Sequence, residues 1–179
     1  MLLRKPLEAL NTVFRPCLCG ALKHTTCLQS LNCKMPQPRT QVSFAIEEAL
    51  KKMLKGSVPI ISTSELADSI KCESDWLILD SRELIEFDIS HLPNARWVGY
   101  HDFSMSRVNA TTKDTKVVVY CSIGVRSEKT AEKLITSGLS NVWNLYGGIF
   151  AWANEHKSLV EQSQKPTLAV HGYDHNWAK

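Results

Sequence analysis

The stretch that decides the fold is Val117-Val118-Val119-Tyr120-Cys121-Ser122-Ile123-Gly124-Val125-Arg126. Its first four residues form an apolar, mostly β-branched run, which predicts a buried central strand of a parallel sheet. Residues 127–137 then place Ala131, Leu134 and Ile135 at helical spacing, and Gly138 follows as a stop signal. The sequence therefore predicts a strand, a short loop that begins with a cysteine, and a helix.

This loop places a thiol where an α/β sheet binds its ligands. Such ligands lie beyond the carboxyl ends of the strands, and the amides at the start of the next helix attract an anion and favour a thiolate. Gly124 lets the loop turn without a Cβ, and Arg126 adds a permanent positive charge that suits an oxyanion. We interpret Cys121 as an activated nucleophile beside an anion site. The alternative is a buried structural thiol, since free cysteines are commonly buried.

Strand and helix patterns alternate along most of the chain. Strands are predicted at 59–62, 76–79, 96–98, 117–120 and near Val142, and helices at 44–54, 64–70, 82–88, 127–137 and near Ile149. This alternation predicts an α/β fold with a central parallel sheet and helices on both faces.

Four ordered blocks of the sequence resemble a single-domain rhodanese. Residues 77–83 resemble that family's strand ending in an Asp-x-Arg step, and residues 91–95 resemble its His-x-Pro-x-Ala turn. The cysteine loop is the third block, and residues 142–152 resemble the last strand, glycine turn and closing helix. The resemblance implies a rhodanese-like domain over residues 58–160. We expect an amphipathic helix at 43–57 before it and a short C-terminal tail at 161–179 after it.

The family resemblance implies a sulfurtransferase in which Cys121 is the nucleophile. Cys121 would take a sulfane sulfur from thiosulfate or from a small-molecule or protein persulfide and pass it to a thiol or cyanide, with no metal or cofactor. Arg126 would orient an anionic donor. The implied anion-binding loop consists of Ser122, Ile123, Gly124, Val125, Arg126 and Ser127. The alternative function is a rhodanese-like interaction or sulfur-relay module with little thiosulfate activity.

Loop length separates this chain from related enzymes on the same fold. Related phosphatases and arsenate reductases place five residues between cysteine and arginine, whereas this loop has four, residues 122–125. The shorter loop suits a sulfur atom better than a tetrahedral phosphate or arsenate. A phosphatase or arsenate reductase is therefore the least favoured interpretation.

Several polar residues outside the loop invite a role. We expect Asp80 and Arg82 to form an ion pair that supports the loop, although an ordinary polar strand end is the alternative. His91 lies in a proline-containing turn and is expected to be structural. Ser127 could bind the anion, act as a helix N-cap, or do both. Cys72 could resolve an oxidised Cys121, but nothing in the sequence places it beside the loop.

Residues 1–42 differ from the rest in charge. They carry Arg4, Lys5, Arg15, Lys23, Lys34 and Arg39 against the single acid Glu8, within a chain of net charge +3. A basic leader that contains a few Ser and Thr residues and no long apolar run predicts a mitochondrial presequence rather than a secretory signal or a membrane span. The alternative is a disordered leader on a cytoplasmic protein. The slightly acidic remainder has no aromatic and basic stripe and argues against nucleic-acid binding.

The ends of the chain contain further metal-ligating side chains. Cys17, Cys19, Cys27 and Cys33 lack the paired spacing of a structural zinc site, and the absence of a secretory signal argues against disulfides. His171 and His175 are four residues apart, but Gly172 between them argues against a helix. We expect Tyr173 and Trp177 to dock on the domain and shape the substrate mouth.

Overall fold

The computed structural model describes residues 44–72, 75–108 and 112–172. The predictions for the leader, with its cysteines at 17, 19, 27 and 33, lie outside these residues. So do those for Tyr173, His175 and Trp177 in the tail.

A five-stranded parallel sheet forms the centre of the protein. Its strands are β1 (Ile60–Ile61), β2 (Leu77–Asp80), β3 (Arg96–Trp97), β4 (Val117–Tyr120) and β5 (Val142–Leu145), in the spatial order β1-β5-β4-β2-β3. β4 is the middle strand, and its partner β2 ends at the same level because Asp80 pairs with Tyr120. The carboxyl end of β4 therefore leads directly from the middle of the sheet into Cys121.

Five α-helices accompany this sheet in the described part of the chain. They are α1 (Phe44–Met53), α2 (Thr63–Lys71), α3 (Leu84–Ile89), α4 (Val125–Thr136) and α5 (Gly148–Asn154). The predicted α/β fold is confirmed. One boundary matters for the site: α4 begins at Val125, so Ser127 lies inside its first turn and is not the N-cap. The N-cap is Gly124, because the loop has already turned there with φ +121°.

Both faces of the sheet are buried in the core. Val117 and Val119 point to one face and pack with Ala131 and Leu134 of α4. Their neighbours Val118 and Tyr120 belong to the opposite cluster, which includes side chains from α2 and α5. Burying such side chains contributes about 1.5–3 kcal/mol each. Burial on both faces explains why residues 117–120 form a continuous apolar run.

A small antiparallel hairpin follows the last helix. Its strands are β6 (Leu159–Val160) and β7 (Pro166–Thr167). The backbone of Val160 exchanges two hydrogen bonds with His91, of 2.8 and 3.0 Å, which joins the hairpin to the turn after α3. The sequence did not predict this hairpin, because two-residue strands are too short to show an alternating pattern. Across the described ranges, every helix is too short or too polar to cross a bilayer.

Candidate active site

Cys121 lies at the start of the loop between β4 and α4, and its residue is only 1% exposed. Its Sγ accepts a hydrogen bond from the backbone N–H of Gly124 at 3.1 Å. Gly124 has φ +121°, a conformation that disfavours any residue with a Cβ. The loop thus folds back over the sulfur, and the Gly124 amide points at it.

The start of α5 holds the loop from the opposite side. The amides of Ile149 and Phe150 donate to the carbonyls of Cys121 and Ser122 at 2.9 and 3.1 Å. At Gly148, a Cβ would lie 2.3 Å from the Cys121 carbonyl oxygen. Only glycine permits this close backbone approach, which explains the second glycine of the Gly147-Gly148 turn.

Asn144 of β5 connects the loop to the next strand. Its side-chain oxygen accepts the Ser127 hydroxyl at 2.7 Å, and its amide nitrogen donates to the Gly124 carbonyl at 3.0 Å. Ser127 Oγ also lies 3.5 Å from Cys121 Sγ. Asn144 is buried, and sequence reasoning missed it. The available signal was a polar residue in a strand that is otherwise apolar.

Arg126 forms a two-pronged ion pair with Glu86 of α3. Its two terminal nitrogens lie 2.8 and 2.9 Å from the two carboxylate oxygens, and one of them also donates to Ser122 Oγ at 2.8 Å. The Ser122 hydroxyl in turn donates to Glu86 at 3.2 Å. Arg126 thus makes a strong charge-assisted contact within the protein, in addition to any role it has toward an anionic donor.

Glu86 is ionised in this pair. Burial would raise the pKa of its carboxyl, but the hydrogen bonds from Arg126 and from the Glu83 amide outweigh burial and lower the pKa below its ordinary value. The side chains of both partners are largely withdrawn from solvent. The carboxylate therefore cancels much of the positive charge that Arg126 would present. The sequence missed Glu86, although it is the only buried residue of α3.

Asp80 and Arg82 form the expected ion pair, and both side chains are fully buried. Arg82 donates to both Asp80 oxygens at 2.7–3.1 Å and to the Ser90 carbonyl at 2.6 Å. Burial alone would lower the pKa of Arg82, but the adjacent Asp80 and Tyr120 raise it. The Arg82 guanidinium also lies 5.7 Å from the centre of the Tyr120 ring, directly before Cys121. The pair thus packs against the residue that precedes the loop, and its contribution to activity stays a prediction.

His91 is placed away from the loop by its own contacts. Its ring stacks on Phe87 with centroids 3.9 Å apart, and Nδ1 lies 3.0 Å from the Phe87 carbonyl. Nε2 lies 3.3 Å from the side-chain nitrogen of Gln164. These contacts join α3 to the C-terminal hairpin, which is a structural role.

An open cavity of about 120 Å³ lies against Cys121 and its loop. We call it the Cys121 cavity, and its lining consists of Met53, Cys121, Ser122, Ile123, Val125, Arg126 and Phe150. The exposed thiol of Cys72, after α2, does not line it. Among residues 44–72, 75–108 and 112–172, no three His, Cys, Asp or Glu side chains converge as a metal site would require.

The fold and the site define an α/β protein with a cysteine loop at the carboxyl edge of a parallel sheet. The model of the rhodanese-like domain family matches residues 62–155, slightly more than half of the chain. The chain belongs to this family.

Individual proteins resemble the chain more distantly. A tRNA uridine(34) hydroxylase from Enterobacter sp. (strain 638) is 27% identical over 108 residues, which cover 53% of this chain and 31% of that protein. The chain thus spans about a third of this relative's length.

Solved structures support the fold alone, because their sequences are distant. A rhodanese-like domain from Anabaena sp. has a TM-score of 0.54 and 20% identity over 65% of this chain and 89% of that one. A thiosulfate sulfurtransferase from Pseudomonas aeruginosa has a TM-score of 0.53 and 18% identity over 72% of this chain and 24% of that one.

Proposed function

We propose that this protein is a sulfurtransferase that moves a sulfane sulfur through a persulfide on Cys121. The observation that carries the proposal is the position of Cys121, which lines a cavity and whose Sγ accepts a hydrogen bond from the Gly124 amide at 3.1 Å. A thiol at that position combines a cavity for a donor with an amide N–H that faces the sulfur. A buried structural cysteine needs neither.

The reaction follows from this geometry in two steps. The Cys121 thiolate attacks the outer sulfur of thiosulfate, a new S–S bond forms, and the broken S–S bond leaves its electron pair on sulfite. The resulting persulfide carries its charge on the terminal sulfur, within reach of the loop amides. A thiol or cyanide then attacks that terminal sulfur and regenerates the Cys121 thiolate. No redox cofactor is needed, because the sulfur is transferred without net oxidation of the protein.

The Glu86–Arg126 pair bears on the choice of donor and favours a second candidate function. Since Glu86 binds Arg126 through both oxygens, the loop offers a dianion such as thiosulfate less net positive charge than an unpaired arginine would. A persulfide carries less charge than thiosulfate, so the pairing of Arg126 with Glu86 weakens its binding less. The second candidate is therefore a sulfur-relay module that is loaded by a persulfide and has little thiosulfate activity.

Intact-mass spectrometry tests the proposal. Incubating the full chain with thiosulfate, without reductant, should add one sulfur atom, about 32 Da, to the wild type. Cys121→Ser should show no such gain, whereas Cys72→Ser, which removes the exposed thiol outside the cavity, should load like the wild type.

Each other outcome has a clear meaning. Loading by a persulfide donor alone, still dependent on Cys121, would support the relay module over the thiosulfate enzyme. Equal loading of the wild type and Cys121→Ser, or no loading by either donor, would overturn the assignment of Cys121 as the nucleophile.

A further inference from the structure

The helix α1 contributes to the Cys121 cavity although it lies outside the residues that match the family model. That match begins at residue 62, whereas α1 covers Phe44–Met53. Leu50 of α1 is fully buried and packs with Ile123 of the cysteine loop. One of its methyl carbons lies 3.8 Å from the position that a Cβ on Gly124 would occupy. This helix therefore packs directly on the loop.

The end of α1 is fixed to the helix that follows the loop. The carboxylate of Glu128, in the first turn of α4, accepts the backbone N–H groups of Lys55, Gly56 and Ser57 at 2.9, 2.8 and 3.2 Å. Three charge-assisted hydrogen bonds to one buried carboxylate hold this turn firmly. The last residue of α1, Met53, is thereby kept at a defined place beside the loop.

Met53 supplies part of the cavity wall and is 51% exposed. Together with Ile123, Val125 and Phe150 it gives the cavity an apolar lining. The charged side chain in that lining, Arg126, is bound to Glu86. A cavity of this character binds an apolar group next to the reacting sulfur better than a compact dianion.

We propose that Met53 is a specificity-determining residue, which makes the cavity prefer donors whose sulfane sulfur is attached to an apolar group. The thioether of methionine adapts its shape to such groups. This inference rests on the proposed sulfur transfer and adds the class of donor to it. Organic persulfides and thiosulfonates belong to this class, whereas thiosulfate does not.

The transfer from a thiosulfonate balances in the same way as that from thiosulfate. The Cys121 thiolate attacks the terminal sulfur of R–SO₂–S⁻, and the S–S bond to the sulfonyl sulfur breaks. Its electron pair leaves on the sulfinate R–SO₂⁻, and the new S–S bond gives the Cys121 persulfide anion. Two negative charges are present before and after the step.

Two thiosulfonates of equal charge isolate the effect of the apolar group. Benzenethiosulfonate and methanethiosulfonate are compared as donors for the full chain, with cyanide as the acceptor and kcat and KM measured separately. We expect the wild type to prefer the benzene compound. Met53→Ala should reduce the ratio of the two kcat/KM values roughly tenfold, mainly through KM, because part of the apolar wall is lost.

Two further variants control this comparison. Met53→Leu keeps an apolar side chain of similar size and should retain the wild-type ratio. Lys52→Ala changes an exposed neighbour on α1 that does not line the cavity, and it should leave both donors unaffected.

Different results would overturn the role of Met53 and the proposed sulfur transfer. If both donors load Cys121 but Met53→Ala leaves their ratio unchanged, Met53 does not set specificity and only this inference is overturned. If Lys52→Ala changes the ratio as much as Met53→Ala, the effect belongs to the helix as a whole and the role of Met53 is likewise rejected. If no donor loads Cys121 in the wild type, sulfur transfer itself is overturned.

Discussion

Arg126 lines the Cys121 cavity while it donates to both carboxylate oxygens of Glu86. At the scale of single residues, this contact controls how much positive charge a donor meets. It also couples α3 to the loop, because the Glu86 carboxylate accepts a hydrogen bond from the Ser122 hydroxyl as well. The same pair therefore has consequences for donor choice and for stability, and substituting Glu86 tests both.

Glu86→Gln should lower the KM for thiosulfate several-fold, because it keeps the shape of the side chain but leaves the charge of Arg126 uncompensated. Steady-state kinetics with thiosulfate measures this change. Glu83→Gln is the matched control, since it removes a charge three residues earlier and its carboxylate contacts His101 rather than Arg126. An unchanged KM in folded Glu86→Gln would contradict the view that the pair weakens thiosulfate binding.

Glu86→Gln should also lower the free energy of unfolding at neutral pH, by about 1–3 kcal/mol, since a partner of a buried charged hydrogen bond is weakened. The fold lowers the pKa of Glu86, so its ion pair stabilises the folded protein at pH values above the ordinary pKa of 4.5. This stabilisation is lost as the pH falls through the lowered pKa of the folded state. The stability difference between wild type and variant should thus shrink below about pH 4.5 in denaturant titrations. A difference that is constant down to strongly acidic pH would contradict this coupling.

At the scale of elements, the sequence predicts the central strand and the cysteine loop, but it does not predict polar contacts between residues far apart in the chain. Residues 117–120 were recognised because burial on both faces requires a continuous apolar run. The cysteine loop was recognised from its spacing. Asn144, Glu86 and Glu128 were not recognised, because each acts on residues far away in the chain, and no local period or composition records such a partner. The helix α4 begins at Val125, two residues before the predicted start at 127. Its N-cap, Gly124, has no capping side chain that a sequence pattern could show.

The contact between Glu128 and residues 55–57 makes a prediction about α1. Glu128→Gln should release α1, because the glutamine side chain has one acceptor oxygen and no charge, whereas three backbone N–H groups need an acceptor there. Hydrogen–deuterium exchange should then speed up in residues 47–57 while β4 stays protected. Glu132→Gln, one turn later in α4, removes only contacts with Ser57 Oγ and Lys55 Nζ near the surface and should have a smaller effect. Equal exchange in both variants, or faster exchange throughout the sheet, would refute a local anchor.

At the scale of the whole molecule, the side chains of the candidate site come from separate stretches that the topology brings to one edge of the sheet. β4 delivers Cys121, α3 delivers Glu86, β5 delivers Asn144 and α1 delivers Met53. The parallel order β1-β5-β4-β2-β3 explains this convergence, because the carboxyl ends of parallel strands meet at the same edge. The sequence predicts that the site lies at this edge of the sheet, because strands and helices alternate and Cys121 follows a buried strand. It does not predict the contribution of α1, since that depends on how a helix outside the family match packs on the loop.

The charge asymmetry of the chain predicts where the protein works. Residues 1–42 hold six basic side chains and one acidic one, so the rest of the chain is net negative although the whole carries +3. A basic leader that contains Ser and Thr and almost no acid is the pattern that mitochondrial import recognises. We expect residues 1–42, fused to a fluorescent protein, to direct it to mitochondria, and the triple variant Arg4→Gln, Lys5→Gln, Arg15→Gln to leave it in the cytosol. Cytosolic fluorescence from the unaltered fusion would reject the presequence and favour the cytoplasmic alternative.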